Sequence, residues 1–262
     1  MNIAHRGGAQ LMAENTLAAF ADALARGCDG AELDVQLSRD GAVVVHHDFR
    51  LMRDLARKDG AWLAAPGPRI KDLMLQELRQ FDVGAARPGS DYSLGHYLLK
   101  PAHASVPVLD EVVALAKGAD RRFLLFVELK CDSSEDSADP QALADAALEV
   151  IQRADHLGST IFVGFDWRAL RRVHERDPSA ACWFTTNKLH GDAHVVIDRI
   201  AAAGARGWFP KFSDATSENV AHARERGLKI GAWTVNRRDD MKRLRALDAI
   251  CTDRPDLLQA LE

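Results

Sequence analysis

Histidines, carboxylates and fixed cations recur in this chain where one parallel-sheet scaffold could gather them. His5 and Arg6 end a short apolar run at the start of the sequence. Glu32 and Asp34 stand two residues apart within Ala31–Gln36, so on a strand both side chains face the same way. Two inward carboxylates among Ala31, Leu33 and Val35 need a counter-charge; the plainer alternative is an exposed edge with both acids in water. Glu128 and Lys130 close the apolar run 123–127, a poor place for a solvated acid. Three carboxylates without a cysteine suit a hard cation, Mg²⁺ or Ca²⁺ rather than Zn²⁺. Arg6 and Lys130, each unremarkable alone, together suit an anionic phosphate. Two histidines across a phosphate can divide the proton transfers, one taking a proton from the nucleophile and one giving a proton to the leaving alcohol.

The second histidine follows from a hairpin. Ser38-Arg39-Asp40-Gly41 joins the strand runs 31–36 and 42–47. With Arg39 and Asp40 as the central turn residues, Asp34 falls opposite Val45 and Glu32 opposite His47. Cross-strand partners share a face, so this register puts His47, and not His46, beside the carboxylates. A one-residue slip reverses the choice. The plainer reading makes His46-His47 a polar strand end.

Strand-like runs at 2–5, 31–36, 123–130, 161–165, 181–185, 207–212, 229–235 and 249–252 alternate with helical stretches, and Thr16, Asp139, Asp166, Thr216 and Asn236 are suitable caps. Near-continuous apolar strands separated by amphipathic helices predict a parallel sheet covered on both sides. If 42–47 is only a return arm, eight parallel strands remain. An eight-stranded β/α barrel is therefore expected over an open doubly wound sheet, as one catalytic domain spanning 1–262. Residues 49–106 break the rhythm with Pro66-Gly67-Pro68, Pro88-Gly89 and only a helical patch from Leu73 to Phe81, the pattern of a small insertion. Barrel enzymes carry their chemistry at the C-terminal ends of strands, where His5, Arg6, Glu32, Asp34, Glu128 and Lys130 are expected. The first strand-to-helix turn lacks G-x-G-x-x-G, and nothing resembles G-x-S-x-G or a P-loop.

The chain has 262 residues, 47% hydrophobic and 27% charged, with a net charge of -4. That balance argues against a nucleic-acid partner. No apolar run approaches the roughly 18 residues of a membrane span. The charged pair His5-Arg6 arrives too early for a secretory signal, so a cytoplasmic enzyme is expected. Cys28, Cys131, Cys182 and Cys251 lie far apart and suggest neither a disulfide framework nor a thiolate metal site.

The ordered motifs His5-Arg6-Gly7, Glu14-Asn15-Thr16, Glu32-Leu33-Asp34-Val35, Asp40-Gly41 and His47-Asp48 resemble those of glycerophosphodiester phosphodiesterases. So do Pro107-Val108-Leu109-Asp110-Glu111, Glu128-Leu129-Lys130, Trp233-Thr234-Val235-Asn236 and Thr252-Asp253-Arg254-Pro255, so the likeness spans nearly the whole chain. The resemblance implies a β/α barrel that hydrolyses glycerophosphodiesters to glycerol 3-phosphate and an alcohol. It implies acid/base roles for His5 and His47, phosphate contacts from Arg6 and Lys130, and one divalent cation on Glu32, Asp34 and Glu128. Which histidine is acid and which base stays open, as do the head group and the oligomeric state. The family's insertion after the second histidine matches 49–106, with Arg53-Asp54-Leu55 where an Arg-Thr pair is common. Trp233 is either an apolar wall beside the glycerol or a core residue. Asp253 either supports the site or caps the helix opening at Pro255, with capping the expectation; Glu14 and Asn15 are expected to act through helix capping, and Asp48 to face away from His47 if the strand continues and to orient the loop. Two rivals are a barrel resembling sphingomyelinase D and a catalytically silent phosphodiester-binding barrel. The first lacks the expected secretion signal and disulfides, and the second does not explain why every acid, base and cation is present.

Overall fold

In the computed structural model, residues 1–64 and 67–261 are described; Pro66 of the expected Pro66-Gly67-Pro68 turn lies outside them. In chain order the strands are β1 (Asn2–Ala4), β2 (Gly30–Leu37), β3 (Val43–Val45), β4 (Arg57–Lys58), β5 (Ala61–Trp62), β6 (Phe81–Asp82), β7 (Leu124–Leu129), β8 (Thr160–Gly164), β9 (Ala181–Thr186), β10 (Gly207–Pro210), β11 (Lys229–Ala232) and β12 (Ala249–Thr252). One nine-stranded sheet runs β1-β12-β11-β10-β9-β8-β7-β2-β3, and β1 also pairs with β2. That pairing closes the ring. Within this sheet β3 is the one antiparallel strand, so the ring itself is the eight-stranded parallel barrel expected from the sequence.

Alternation along the strands sorts the interior. Ala31, Leu33 and Val35 join the apolar layer between the barrel and its helices. Glu32, Asp34 and Gln36 take the opposite face. Ile3, Phe126, Ile161, Val163, Trp183, Phe209, Ala249 and Cys251 fill the barrel axis, with Phe126 edge-on to Trp183 at 5.3 Å. Glu128, two residues beyond Phe126, therefore points inward above that plug. β2 pairs with β7 so that Asp34 lies beside Glu128 and Glu32 beside Phe126.

Thr16, Asp139, Asp166 and Thr216 cap helices, each accepting a backbone N–H of the following turn. Asn236 does not. Arg237 occupies the N-cap of Arg238–Leu244, because the Asn236 amide is bound to Asp253.

The hairpin differs from the expected register by one residue. Val35 pairs with Val45 and Leu37 with Val43. The turn holds three residues, Arg39, Asp40 and Gly41, because Ser38 bonds Ala42 through both backbone and hydroxyl. Gly41, at φ 79°, supplies the left-handed step that a three-residue turn requires.

The insertion packs Val44, Leu51, Ala56, Ile70, Leu78, Phe81, Val83 and Val106 together beside a three-stranded sheet ordered β5-β4-β6. The helical patch expected at 73–81 contracts to Leu75–Leu78, since Phe81 leaves it to pair with Lys58.

Candidate active site

Glu32, Asp34 and Glu128 bring carboxylate oxygens within 4.8 Å of one another at the mouth of the barrel. Glu32 and Asp34 are each only 1% exposed, which excludes the open-edge alternative. Their charges are answered from two sides. Lys130 Nζ donates to Glu128 Oε1 at 2.9 Å and lies 3.8 Å from Asp34 Oδ1. Arg6 Nε lies 3.3 Å from Asp34 Oδ2, and the Arg6 backbone N–H donates to Glu32 Oε2 at 3.0 Å. Burial and the neighbouring Asp34 and Glu128 charges push the Glu32 carboxyl well above its usual range. Burial acts the same way on Asp34, but His47, Arg6 and Lys130 outweigh it and hold that carboxyl below its usual range. Glu32 Oε1 is buried without a hydrogen-bond partner among the described residues. A carboxylate trio of this kind, with one orphaned oxygen, is a site that a hard cation fits.

Local backbone makes the first of these contacts. Arg6 adopts φ 51° and Asn15 φ 55°, both left-handed, and the Asn15 N–H donates to the Arg6 carbonyl at 3.0 Å. Between them the chain passes Gly7, whose added Cβ would meet the Ala19 Cβ at 2.6 Å. No other residue fits there.

The two histidines share one arrangement. His5 Nδ1 lies 2.6 Å from Asp253 Oδ1, and His47 Nδ1 lies 2.6 Å from Asp48 Oδ1. A carboxylate at Nδ1 fixes the ring and its tautomer and leaves Nε2 for proton exchange. Both histidines line a cavity of about 200 Å³ with Arg6, Glu32, Glu128 and Lys130. Trp233 and Phe165 form its apolar side, edge to face at 5.2 Å. His46 sits elsewhere, buried, with its Nε2 unpartnered among the described residues and burial pushing its pKa down.

The profile of the glycerophosphoryl diester phosphodiesterase family matches residues 5–257. The chain belongs to that family. It is 30% identical over 259 residues to a glycerophosphodiester phosphodiesterase of Caldanaerobacter subterraneus subsp. tengcongensis, covering 98% of this chain and 95% of the relative. A Silicibacter pomeroyi protein of solved structure, assigned to the same family, superposes with a TM-score of 0.92 at 30% identity, over 99% of this chain and 91% of the other. An Oleispira antarctica phosphodiesterase, solved with the product sn-glycerol-3-phosphate, gives 0.78 at 26% identity, over 98% and 94%.

The geometry of this phosphodiesterase family member departs from the sequence reading at the supporting residues. Asp253 does not cap the last helix, whose N-cap is Arg254; it holds His5 instead, and Asn236 Nδ2 donates to its second oxygen at 2.6 Å. Glu14 and Asn15 are not capping residues either. Glu14 accepts from Arg6 Nη1 at 3.0 Å, and Asn15 Nδ2 donates to Asp34 Oδ2 at 2.8 Å. Asp48 faces His47 rather than away from it, because β3 ends at Val45 and alternation stops there. Gln36 also serves the site, although no motif singles it out. Its Nε2 donates to the carbonyls of His46, His47 and Asp48 and sets the turn that delivers His47. The signal was present, since Gln36 continues the inward series 32, 34, 36. Tyr92 had no local signal at all.

Proposed function

We propose that this phosphodiesterase hydrolyses glycerophosphodiesters to glycerol 3-phosphate and an alcohol, with His5 and His47 as acid and base. The observation that carries the reading is the pairing of two carboxylate-held histidines with Arg6, Lys130 and an acidic trio in one cavity. Arg6 and Lys130 bind the phosphate and hold it between the two Nε2 atoms. Glu32, Asp34 and Glu128 would hold one divalent cation, Mg²⁺ or Ca²⁺, their all-oxygen donor set favouring either over Zn²⁺. Such a cation supplies positive charge opposite the phosphate oxygens. Trp233 and Phe165 pack against the glycerol and keep water from that side.

One histidine removes the proton from a hydroxyl of the substrate's own glycerol, and that oxygen attacks phosphorus to give a cyclic phosphate. The other protonates the departing alcohol oxygen, and water then opens the ring with the roles reversed. Among the described residues one carboxylate trio could hold a metal, which supports this route over direct attack by water, a step that a second metal site would serve. Residues 49–106 select the alcohol, along a groove of about 530 Å³ that His47 and Lys130 share with Leu51, Met52 and Arg53. We read the protein as cytoplasmic, a compartment that suits its four free cysteines, and as acting without nucleic acid. Among the described residues, no helix is long and apolar enough to cross a membrane.

The test is release of glycerol 3-phosphate from glycerophosphocholine, glycerophosphoethanolamine and glycerophosphoinositol, with Mg²⁺, with Ca²⁺ and with chelator. Cation-dependent release is expected, and a 2-deoxy analogue should bind yet turn over very slowly. No release from any ester with either cation overturns the reading, whereas rapid turnover of the deoxy analogue overturns only the cyclic route.

A further inference from the structure

A tyrosine of the insertion, Tyr92, reaches the carboxylate that holds Arg6. We propose that Tyr92 is a positioning residue for the reaction: its hydroxyl holds Glu14, and Glu14 holds the Arg6 guanidinium against the phosphate. This rests on the reading of Arg6 as a phosphate contact. Tyr92 Oη donates to Glu14 Oε2 at 2.5 Å, while Arg6 Nη1 donates to Glu14 Oε1 at 3.0 Å. Each oxygen of one buried carboxylate thus has its own donor, which fixes the plane of Glu14 and the reach of Arg6.

Arg6 stands between competing anions. Its Nε is close enough to Asp34 for an ion pair, at 3.3 Å, but is left without a hydrogen bond among the described residues. Glu14 therefore decides how far the guanidinium leans from the acidic trio. Without the phenol, Glu14 Oε2 loses its donor, and the carboxylate is free to rotate and draw Arg6 away from the phosphate.

Tyr92 is built to hold still. It lies in the helix Asp91–Gly95, capped by Ser90, and the ring of His96 stacks on it at 4.0 Å with 6° between planes. The segment is tied back to the loop after β1, where the Lys100 N–H donates to the Leu11 carbonyl at 3.0 Å. Burial and the Glu14 charge push the phenol well above its usual pKa, so it remains a donor throughout the working range. The insertion is then part of phosphate binding as well as of the alcohol groove.

The decisive variant is Tyr92→Phe, which keeps the ring and removes only the hydroxyl. Because Arg6 contacts the phosphate before and during reaction, the loss should fall on KM and on the inhibition constant of sn-glycerol 3-phosphate. Each should rise about tenfold, with kcat within about twofold. In a Glu14→Gln background, Tyr92→Phe should add almost nothing. Tyr97→Phe, at a tyrosine 76% exposed, should change neither constant. Independently of turnover, the ¹⁵N signal of Arg6 Nε should shift and broaden in Tyr92→Phe. Unchanged constants and an unchanged Arg6 signal in folded Tyr92→Phe overturn the proposal. So does an equal loss in Tyr97→Phe, a loss undiminished in Glu14→Gln, or a fall in kcat alone. A shifted Arg6 signal in a protein that neither turns over a glycerophosphodiester nor binds sn-glycerol 3-phosphate upholds the relay and overturns the functional reading instead.

Discussion

The barrel axis and the barrel mouth are built by the same strands, two residues apart, with opposite chemistry. Ile3 precedes His5, Phe126 precedes Glu128, and Cys251 precedes Asp253, and in each pair the lower residue belongs to the apolar plug. The plug is close-packed and makes no demand on charge. The mouth keeps Glu32 and Asp34 as deeply buried as Phe126, and it tolerates them only through Arg6, Lys130 and Asn15. One register of alternation thus separates a layer that stabilises the fold from a layer that the fold must pay for. Stability and activity should respond to substitution in opposite ways on the two levels.

The sharpest break is expected at the histidines. His5→Ala and His47→Ala should each lose about 10²- to 10⁴-fold in kcat while the unfolding midpoint scarcely moves. Steady-state kinetics beside denaturant melts would show it, and a parallel loss of stability would mean that the mouth, too, holds the fold together. Phe126→Ala is the mirror image. Emptying the plug should destabilise by about 3–5 kcal/mol, with the folded fraction keeping most of its activity per molecule.

Asp253→Asn tests whether the mouth depends on its supporting residues. Loss of the carboxylate at His5 Nδ1 should cost about 10- to 100-fold in activity, with little change in melting. Unchanged activity in folded Asp253→Asn would remove Asp253 from the support of His5.

The pH dependence of stability sharpens the comparison further. Glu32 has its folded pKa raised by burial and by Asp34 and Glu128. In the cation-free protein its contribution is therefore fully present below the unfolded value of about 4.3 and is lost as pH rises through the folded pKa. Asp34 and Asp253 have the opposite sign. Burial opposes their ionisation, but His47, Arg6 and Lys130 around Asp34, and His5 around Asp253, keep their folded pKa values low. Their contributions are present above about 3.9, the unfolded value, and disappear as pH falls through the folded pKa. Denaturant titrations should accordingly show Glu32→Gln gaining stability over the cation-free parent as pH rises, and losing that advantage when Mg²⁺ or Ca²⁺ is added. An advantage that does not change with pH would remove Glu32 from the charged cluster. The smallest effect belongs to His46→Ala, which should lower activity by less than about tenfold, since the side chain lies outside the cavity.

Much of this was legible in the chain. A carboxylate at every second position of an apolar strand cannot be buried without counter-charges, so the sequence itself links Glu32, Asp34 and Glu128 to Arg6 and Lys130. The alternation of apolar strands with capped helices likewise pointed to the barrel, because a sheet buried on both faces leaves few other solutions. The hairpin register lies one residue from the one that predicts His47 at the site. His47 arrives at the mouth because β3 stops at Val45 and Gln36 takes hold of the next three carbonyls, which no pattern of cross-strand pairing contains.

What local sequence determined, then, is which residue types face inward, since a two-residue period is written in consecutive positions. What only the tertiary structure decided is who supports whom. Asp253 reaches His5 across 248 residues of chain, and Tyr92 reaches Glu14 across 78. Each was free, as a sequence, to be an ordinary cap or a surface tyrosine. The parallel pairing of β1 with β12 brings the first pair together, and the return of the insertion over the β1 loop brings the second. Hydrogen bonds act over less than 3.5 Å, so such partnerships exist only after the fold has removed the distance between them.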